Sequence, residues 1–301
     1  RIGGVLVGVN ICEDIWYPVG PATVQCQTGA ELIVNINASP FHAGKRAFRE
    51  EMIAQRASEH GLTVAYVNTV GGQDELVFDG QSLVVGADGK IIVQGNSFEE
   101  EIIFTDITLP SRNRKTKVKG VRSYRAPLSK ARVKQVPQLP SYIYKEKSEE
   151  EEVYSALVLG TRDYIHKNGF SKIVLGLSGG IDSSLTAAVA VDALGADNVV
   201  GVLMPSPHSS KGSINDSLVL AKNLNIQTFT FPIASAMQAY GSILADVFKG
   251  TGSGLAEENL QARIRGNLLM ALFSFQFGKT TGVGQCHGIS KVYVGSQEKI
   301  L

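Results

Sequence analysis

Gly176-Leu177-Ser178-Gly179-Gly180-Ile181-Asp182-Ser183-Ser184 decides the reading of this 301-residue chain. It follows Lys172–Leu177, an apolar run of strand length, and leads into Ser183–Leu194, whose apolar spacing is helical. Glycines between a strand and a helix let the backbone turn tightly and come close to a ligand. Amides at the start of a helix point outward with partial positive charge, so they suit phosphate. Ser178, Ser183 and Ser184 add hydroxyl donors. Asp182 is an odd neighbour for an anion unless a cation lies between them, and Mg2+ bridging carboxylate and phosphate oxygens accounts for it. No lysine falls inside the loop, which separates it from the Gly-Lys-Ser/Thr phosphate loop. The plain alternative is a glycine-rich turn without a ligand; the serines and the aspartate together speak against it.

Downstream of the loop the alternation continues. Val199–Met204 and Ile226–Phe231 read as strands, and Ser213–Leu224, Ala234–Phe248 and Glu257–Phe275 as helices. Short apolar strands alternating with helices predict a Rossmann-like, doubly wound parallel sheet. Met204-Pro205-Ser206 closes the second strand and Ser209-Ser210 follows, where open α/β sheets bind ligands. In Glu257-Glu258-Asn259-Leu260-Gln261-Ala262-Arg263, helical spacing puts Asn259 and Arg263 on one face. That face is either an amide and a guanidinium offered to a nucleotide or an ordinary solvated ladder. Upstream, Ser148 and Glu151 form a capping-box pattern before a helix that runs to about His166.

Residues 1–109 are β-rich. Val5–Ile11, Leu32–Asn37 and Thr63–Val67 are apolar runs of strand length. Leu83–Gly86 and Ile91–Val93 flank Ala87-Asp88-Gly89-Lys90, whose Asp-Gly is a hairpin signal. Lys45–Glu59 has helical spacing, with Phe48, Met52, Ala54 and Ala57 apolar among charges. Between Arg112 and Lys134 there are many basic residues and no acidic one, and Pro127, Pro137 and Pro140 punctuate the stretch, so 110–147 reads as a basic linker. Without interleaved aromatic residues it is read as a solvated connector rather than a nucleic-acid arm. In Val9-Asn10-Ile11-Cys12-Glu13-Asp14-Ile15-Trp16, Cys12 ends a strand and enters a turn. A thiol there can be reached by substrate, and the amides just beyond it can serve as an oxyanion hole. Taken alone, Cys12 reads more readily as a buried structural cysteine, and a free thiol is mostly protonated at neutral pH without a neighbouring base or cation.

In combination these motifs resemble known families. The glycine–serine loop resembles that of the ATP-pyrophosphatases. Loop, Met-Pro-Ser strand end and Glu-Asn-Leu-Gln-Ala-Arg helix, in this order, resemble the synthetase domain of NAD synthetases. Cys-Glu-Asp-Ile-Trp after an apolar strand resembles the nucleophile segment of the nitrilase superfamily in its NAD-synthetase glutaminase version. Asn37–Arg46 and Val67–Ser82 match further parts of that domain. The resemblance covers residues 1 to about 277 and implies a glutamine-dependent NAD synthetase. Residues 1–109 would be the C-terminal part of a nitrilase-like α-β-β-α sandwich. Residues 148–301 would be a truncated synthetase domain of the adenine nucleotide alpha hydrolase-like type. It implies Cys12 as the nucleophile, with Ser39 and Lys45 for glutamine. It also implies Gly176, Leu177, Ser178, Gly179, Gly180, Ile181, Asp182 and Ser183 for ATP, with Asp182 facing Mg2+. Asn259 and Arg263 would take deamido-NAD.

The sequence departs from the family in two places. The family's glutaminase uses a Glu and a Lys well before its Cys, and none of the eleven residues before Cys12 is either. Arg1 is read as lying inside a strand, so the chain is read as an internal fragment. After Phe277 the family continues into a Thr-Thr-Gly-Asn-Lys-Ser-Glu-type segment; here Thr280-Thr281-Gly282 is only an echo, and Cys286-His287 is read as incidental rather than metal-binding. Besides a weaker reading as a stand-alone amidase with an unrelated fusion, two alternatives stay open. One is another glutamine-dependent ATP-pyrophosphatase amide ligase, against which the nitrilase-like half argues. The other is an ATP-binding fragment without turnover, which would release no ammonia from glutamine.

Composition sets the remaining bounds. A net charge of +1 does not mark a nucleic-acid binder. No apolar run approaches the ~18 residues that span a bilayer. Three cysteines cannot all pair within one chain, which suggests a reducing, cytoplasmic setting; Cys26 is read as core. The expected partners are ATP, deamido-NAD and glutamine, with no nucleic acid or membrane, and the full-length protein is expected to be a homo-oligomer.

Overall fold

The computed structural model describes residues 1–2, 4–109, 118, 122, 124, 126, 144, 146–247, 249–250 and 254–276. The basic linker, apart from a few residues, and the Thr280–Gly282 and Cys286–His287 segments fall outside them. The chain divides into two compact units, Arg1–Gly160 and Thr161–Leu301.

The first unit begins with β1 (Val7–Ile11), a short 3-10 turn over Cys12–Ile15, α1 (Pro21–Gln27), β2 (Leu32–Asn37), α2 (Lys45–His60) and β3 (Thr63–Asn68). β4 (Val70–Gln73) and β5 (Leu76–Asp79) form a separate hairpin; β6 (Leu83–Val85) and β7 (Ile91–Gln94) complete the main sheet. That sheet has the order β1-β2-β3-β6-β7, parallel from β1 to β3 and antiparallel thereafter. The β6–β7 turn forms where Asp-Gly predicts it. Gly89 takes φ +79°, and Gly86 N–H donates to the Lys90 carbonyl at 2.8 Å.

α1 and α2 cover one face of the sheet. Ile33, Val64, Tyr66, Leu83 and Val85 meet Ile15, Met52, Ile53, Ala57 and Leu62 there. Fully burying a side chain such as Ile53 or Leu62 is worth roughly 1.5–3 kcal/mol. On the other face Ile11, Ile36 and Val67 stand in register across three strands and are about half exposed or more. One α layer and one β layer of the α-β-β-α arrangement are thus in place.

The helix phase differs from the sequence reading. Phe48, expected on the apolar face of α2, is 55% exposed, whereas Arg49 and Arg56 are buried with Met52, Ile53 and Ala57. Arg49 turns inward because the β4–β5 hairpin, which the sequence reading did not contain, delivers Asp79 to it. The bidentate contacts measure 3.0 and 3.1 Å.

α3 (Glu149–Lys167) opens with the expected capping box: Glu151 N–H donates to Ser148 Oγ at 3.2 Å and Ser148 N–H to Glu151 Oε2 at 2.8 Å. The first unit extends into this helix because Ala156 and Leu159 pack with Phe98, Phe41, Val70 and Val77.

The second unit contains β8 (Ile173–Gly176), α4 (Ile181–Leu194), β9 (Val199–Leu203), α5 (Lys211–Asn223), β10 (Gln227–Thr230), α6 (Ala234–Ile243) and α7 (Leu255–Gln276). All three strands are parallel, in the order β10-β9-β8. Val174, Val200, Val202 and Met204 on one face pack against Ile264, Leu269 and Phe273 of α7, and α4 and α5 contact the strands they connect. This is the expected doubly wound arrangement, and it places the turns that follow β8 and β9 at the carboxyl ends of the strands, where open α/β sheets bind ligands.

Candidate active sites

The second unit's loop forms by local hydrogen bonding. Leu177 is buried, and its N–H donates to the Val202 carbonyl at 2.9 Å, which carries the chain over the sheet edge. Gly179 adopts φ +81°, and a Cβ there would lie 2.4 Å from the Ser213 carbonyl oxygen, so glycine is required for both torsion and space. Gly180 is the N-cap of α4. Ser183 Oγ lies 3.0 Å from Ser178 Oγ and from the Gly180 carbonyl, and accepts from Ser178 N–H at 3.3 Å. Gly180 N–H donates to Ser178 Oγ at 3.3 Å, and Ser184 Oγ donates to the Gly180 carbonyl at 2.9 Å. Ser178, Gly179, Gly180, Ile181, Asp182 and Ser183 form one continuous stretch at the start of α4, exposed but for half-buried Gly179 and Ser183.

The end of β9 adds polar groups. Ser209 Oγ accepts from Ser206 N–H at 2.9 Å, and Ser210 Oγ caps α5 by accepting from Ser213 N–H at 3.0 Å. Arg265, which sequence reasoning passed over, donates Nε to the Met204 carbonyl at 3.3 Å, and burial pulls its pKa below the usual arginine value. Asn259 and Arg263 lie on the exposed face of α7, opposite Leu260 and Ile264, which join the core, so they share a face as the spacing predicts. Asp182 sits in the first turn of α4, exposed. No group of three or more potential metal-ligating side chains occurs among the described residues. One exposed carboxylate beside hydroxyls fits a Mg2+ that arrives with phosphates.

In the first unit Cys12 follows β1 directly and takes φ +50°, a torsion few non-glycine residues adopt. Asp14 Oδ2 accepts from Ile11 N–H at 2.9 Å and closes the turn. Cys12 is half-buried and forms no disulfide among the described residues. Cys26 packs against the core beside Trp16 as expected, and its Sγ donates to the His60 carbonyl at 3.6 Å.

Of the residues expected to hold glutamine, Ser39 follows β2 and Lys45 opens α2 near the turn. Ser39 is 2% exposed; its N–H donates to Asn68 Oδ1 at 2.9 Å and its carbonyl accepts from Asn68 Nδ2 at 3.3 Å. With the main chain clamped on both sides, Ser39 Oγ is buried beside the Tyr66 hydroxyl. Lys45 opens α2, donates Nζ to the Pro40 carbonyl at 2.8 Å and lies 5.4 Å from the centre of the Trp16 ring. Burial, then the Arg49 charge, pull its pKa below the usual lysine value; Asp79, Cys12 and Glu13 pull it partly back. Asn68 also donates to Asp79, at 3.1 Å, so the Arg49–Asp79 pair supports the Ser39 clamp.

Sequence reasoning missed the polar residues that hold the thiol turn. Asn10, Asn35, Asn37 and Asn68 are all buried on the helix-covered face of the sheet. Asparagine recurring at inward positions of Leu-Ile-Val-Asn-Ile-Asn was the signal available.

A thiol turn and a glycine–serine loop, both at the carboxyl ends of parallel strands, define a class of two-part proteins. Their first part is a carbon–nitrogen hydrolase and their second an NAD synthase. Residues 1–115 match the carbon-nitrogen hydrolase family and residues 153–280 the NAD synthase family. The chain is 48% identical over 291 residues to a glutamine-dependent NAD(+) synthetase of Thermotoga maritima, covering 92% of this chain and 50% of that protein. It is 46% identical over 287 residues to the one from Aquifex aeolicus, with the same coverage. The solved glutamine-dependent NAD+ synthetase from Acinetobacter baumannii in complex with ADP superposes with a TM-score of 0.73 at 33% identity, over 96% of this chain and 51% of that one. The chain belongs to the glutamine-dependent NAD(+) synthetase family, and it spans about half the length of the curated relatives it matches.

Proposed function

We propose that this protein makes the nicotinamide of NAD by amidating deamido-NAD, with ammonia drawn from glutamine and ATP as the activating substrate. The observation that carries the reading is the Gly176–Ser183 turn at the end of β8, in a relative of an enzyme solved with ADP. Its amides and hydroxyls suit the pyrophosphate of ATP, and Asp182 suits the Mg2+ that accompanies it.

Chemistry divides between the two units. The Cys12 thiol adds to the side-chain amide of glutamine, releasing ammonia and leaving a thioester that water hydrolyses to glutamate. Ser39 Oγ and the Lys45 ammonium suit the amino-acid end of glutamine, the ammonium pairing with its carboxylate. At the second site the nicotinate carboxylate of deamido-NAD attacks the α-phosphorus of ATP, and pyrophosphate departs onto the Ser178–Ser183 loop. Ammonia then displaces AMP from the adenylate. Asn259 and Arg263 suit the deamido-NAD.

Calorimetry with ATP and Mg2+, together with NAD formation from deamido-NAD, tests this. Nucleotide uptake is expected to need both Mg2+ and Asp182. Asp182→Ala should stop NAD formation from either nitrogen source, whereas Cys12→Ala should stop only the glutamine-supported route. XMP and aspartate should not be amidated. Uptake that ignores Mg2+, or amidation of XMP or aspartate instead of deamido-NAD, overturns the reading.

A further inference from the structure

The turn that bears Cys12 is held from within the sheet. Asn35, fully buried in β2, donates through Nδ2 to Asn10 Oδ1 at 2.6 Å and to the Cys12 carbonyl at 3.3 Å. Its Oδ1 accepts from Asn37 Nδ2. Asn10 Nδ2 in turn donates to Gln25 Oε1 at 3.2 Å, and Gln25 Nε2 donates to the Val9 carbonyl at 2.8 Å. A ladder of side-chain amides therefore runs from α1 through β1 to β2 and ends on the carbonyl of the strained residue. A non-glycine residue at φ +50° persists only where its surroundings over-determine it, and Asn35 is the buried side chain that grips it.

The direction of that grip matters. The chain has no cis peptide bond among its described residues, so in the Cys12–Glu13 peptide the N–H points opposite to the C=O. With the carbonyl turned toward buried Asn35, the Glu13 N–H is directed away from the sheet interior. We propose that Asn35 is a positioning residue of the thiol site: by holding the Cys12 carbonyl it aims the Glu13 N–H at the oxygen of the amide that Cys12 attacks. This rests on the reading of Cys12 as nucleophile. In the step served, sulfur bonds to the amide carbon and the carbonyl electron pair moves onto oxygen, where the Glu13 N–H meets it. On collapse the C–N bond breaks, and the thiol proton leaves with nitrogen as ammonia.

Two alkylating reagents separate positioning from mere support. The chloroketone analogue of glutamine carries its carbonyl into the site, and the Cys12 thiolate displaces its chloride to give a thioether. Iodoacetamide reacts with any exposed thiolate and needs no held carbonyl. Rates at Cys12 are read by peptide mapping, which separates Cys26 and Cys286, and are taken per thiolate from the pH profile. Asn35→Leu removes the donor, and Asn35→Asp removes it while keeping the shape should the leucine variant fail to fold. Loss of one oxyanion donor slows chemistry by about 10²–10³-fold. A misaimed donor should therefore slow the chloroketone by at least about tenfold in both variants, while iodoacetamide changes by less than about threefold. Equal slowing with both reagents, or no slowing with either, overturns the proposal. If chloroketone labelling of unaltered Cys12 is not suppressed by glutamine, the nucleophile reading itself fails and takes this proposal with it.

Discussion

The two turns occupy equivalent places, each at the carboxyl end of a parallel strand, yet they are built in opposite ways. The Ser178 turn is assembled from its own neighbours: glycine supplies the positive φ, and hydroxyls within six residues satisfy the backbone. The Cys12 turn contains no glycine, places a β-carbon residue at positive φ and is held by Asn35, which lies 23 positions away. Phosphate needs many weak donors along a backbone, so a local device suffices. A thiol must be presented at one point, and that calls for side chains fixed by the fold. The contrast predicts that distant substitutions in the first unit will damage its site, whereas the second site answers mainly to its own residues.

The largest effect is expected at Asp79, which touches neither turn directly. Asp79→Ala would leave Arg49 buried and unpaired, and breaking one side of such a pair costs about 3–5 kcal/mol. Denaturant unfolding of the first unit should show a loss of that size. Glutamine protection of Cys12 should weaken as well, because Asn68 loses the carboxylate that orients it against Ser39. Asp79→Asn, which keeps an oxygen for Arg49, should lose less. Equal losses in both variants would mean that charge, rather than the hydrogen-bond framework, holds this region.

Gly179→Ala is the corresponding strike at the second turn. The new Cβ would sit 2.4 Å from the Ser213 carbonyl oxygen at a φ that disfavours it, a strain of about 1–3 kcal/mol. The expected outcome is a drop in ATP affinity of about 10- to 100-fold by calorimetry, with the chloroketone reactivity of Cys12 unchanged. If Cys12 reactivity falls in parallel, the two sites are coupled and the local picture of the phosphate loop is incomplete.

What could be read from sequence divides along the same line. Strand spans, the Ser148–Glu151 cap, the Asp88-Gly89 turn and the position of the glycine–serine turn before α4 depend on residues close together in the chain, and they fall within a residue or a few of where the pattern puts them. The inward turn of Arg49 could not be read that way. A charged residue next to Phe48 looks solvated until a partner 30 positions away is known. That partner sits on a hairpin whose turn, Asp74-Glu75, lacks the usual Asn-Gly or Asp-Gly signature and places Asp74 at φ +51°. Asn35 was hidden for a similar reason: inside a strand otherwise rich in Leu, Ile and Val, its amide has meaning only beside the Cys12 carbonyl.

A smaller effect is expected at Asp14, whose carboxylate is a local side-chain support of the thiol turn. Asp14→Ala frees the Ile11 N–H, an exposed group that water can satisfy, so the loss should be about 0.5–1 kcal/mol at most. Chloroketone reactivity of Cys12 should fall by no more than a few-fold, well short of the loss expected at Asn35. A larger fall than in Asn35→Leu would reverse the comparison and make the thiol turn a local device after all.

The smallest and most specific difference is in pH response. Lys45 titrates below the usual lysine range because burial and Arg49 both disfavour its charge. Below that lowered pKa the ammonium is present and attracts the glutamine carboxylate; as pH rises through it the charge is lost and the attraction goes with it. Glutamine protection of Cys12, expressed as a binding constant so that thiol ionisation cancels, should weaken a few-fold on the alkaline side. Lys45→Arg keeps its charge at every accessible pH and should remove that decline even if it binds less well throughout. The loop at Ser178 offers backbone amides and hydroxyls, which do not titrate, so ATP affinity should stay level across the same interval. An alkaline decline that survives in Lys45→Arg would assign the titration to another group and leave Lys45 without the role of binding the carboxylate.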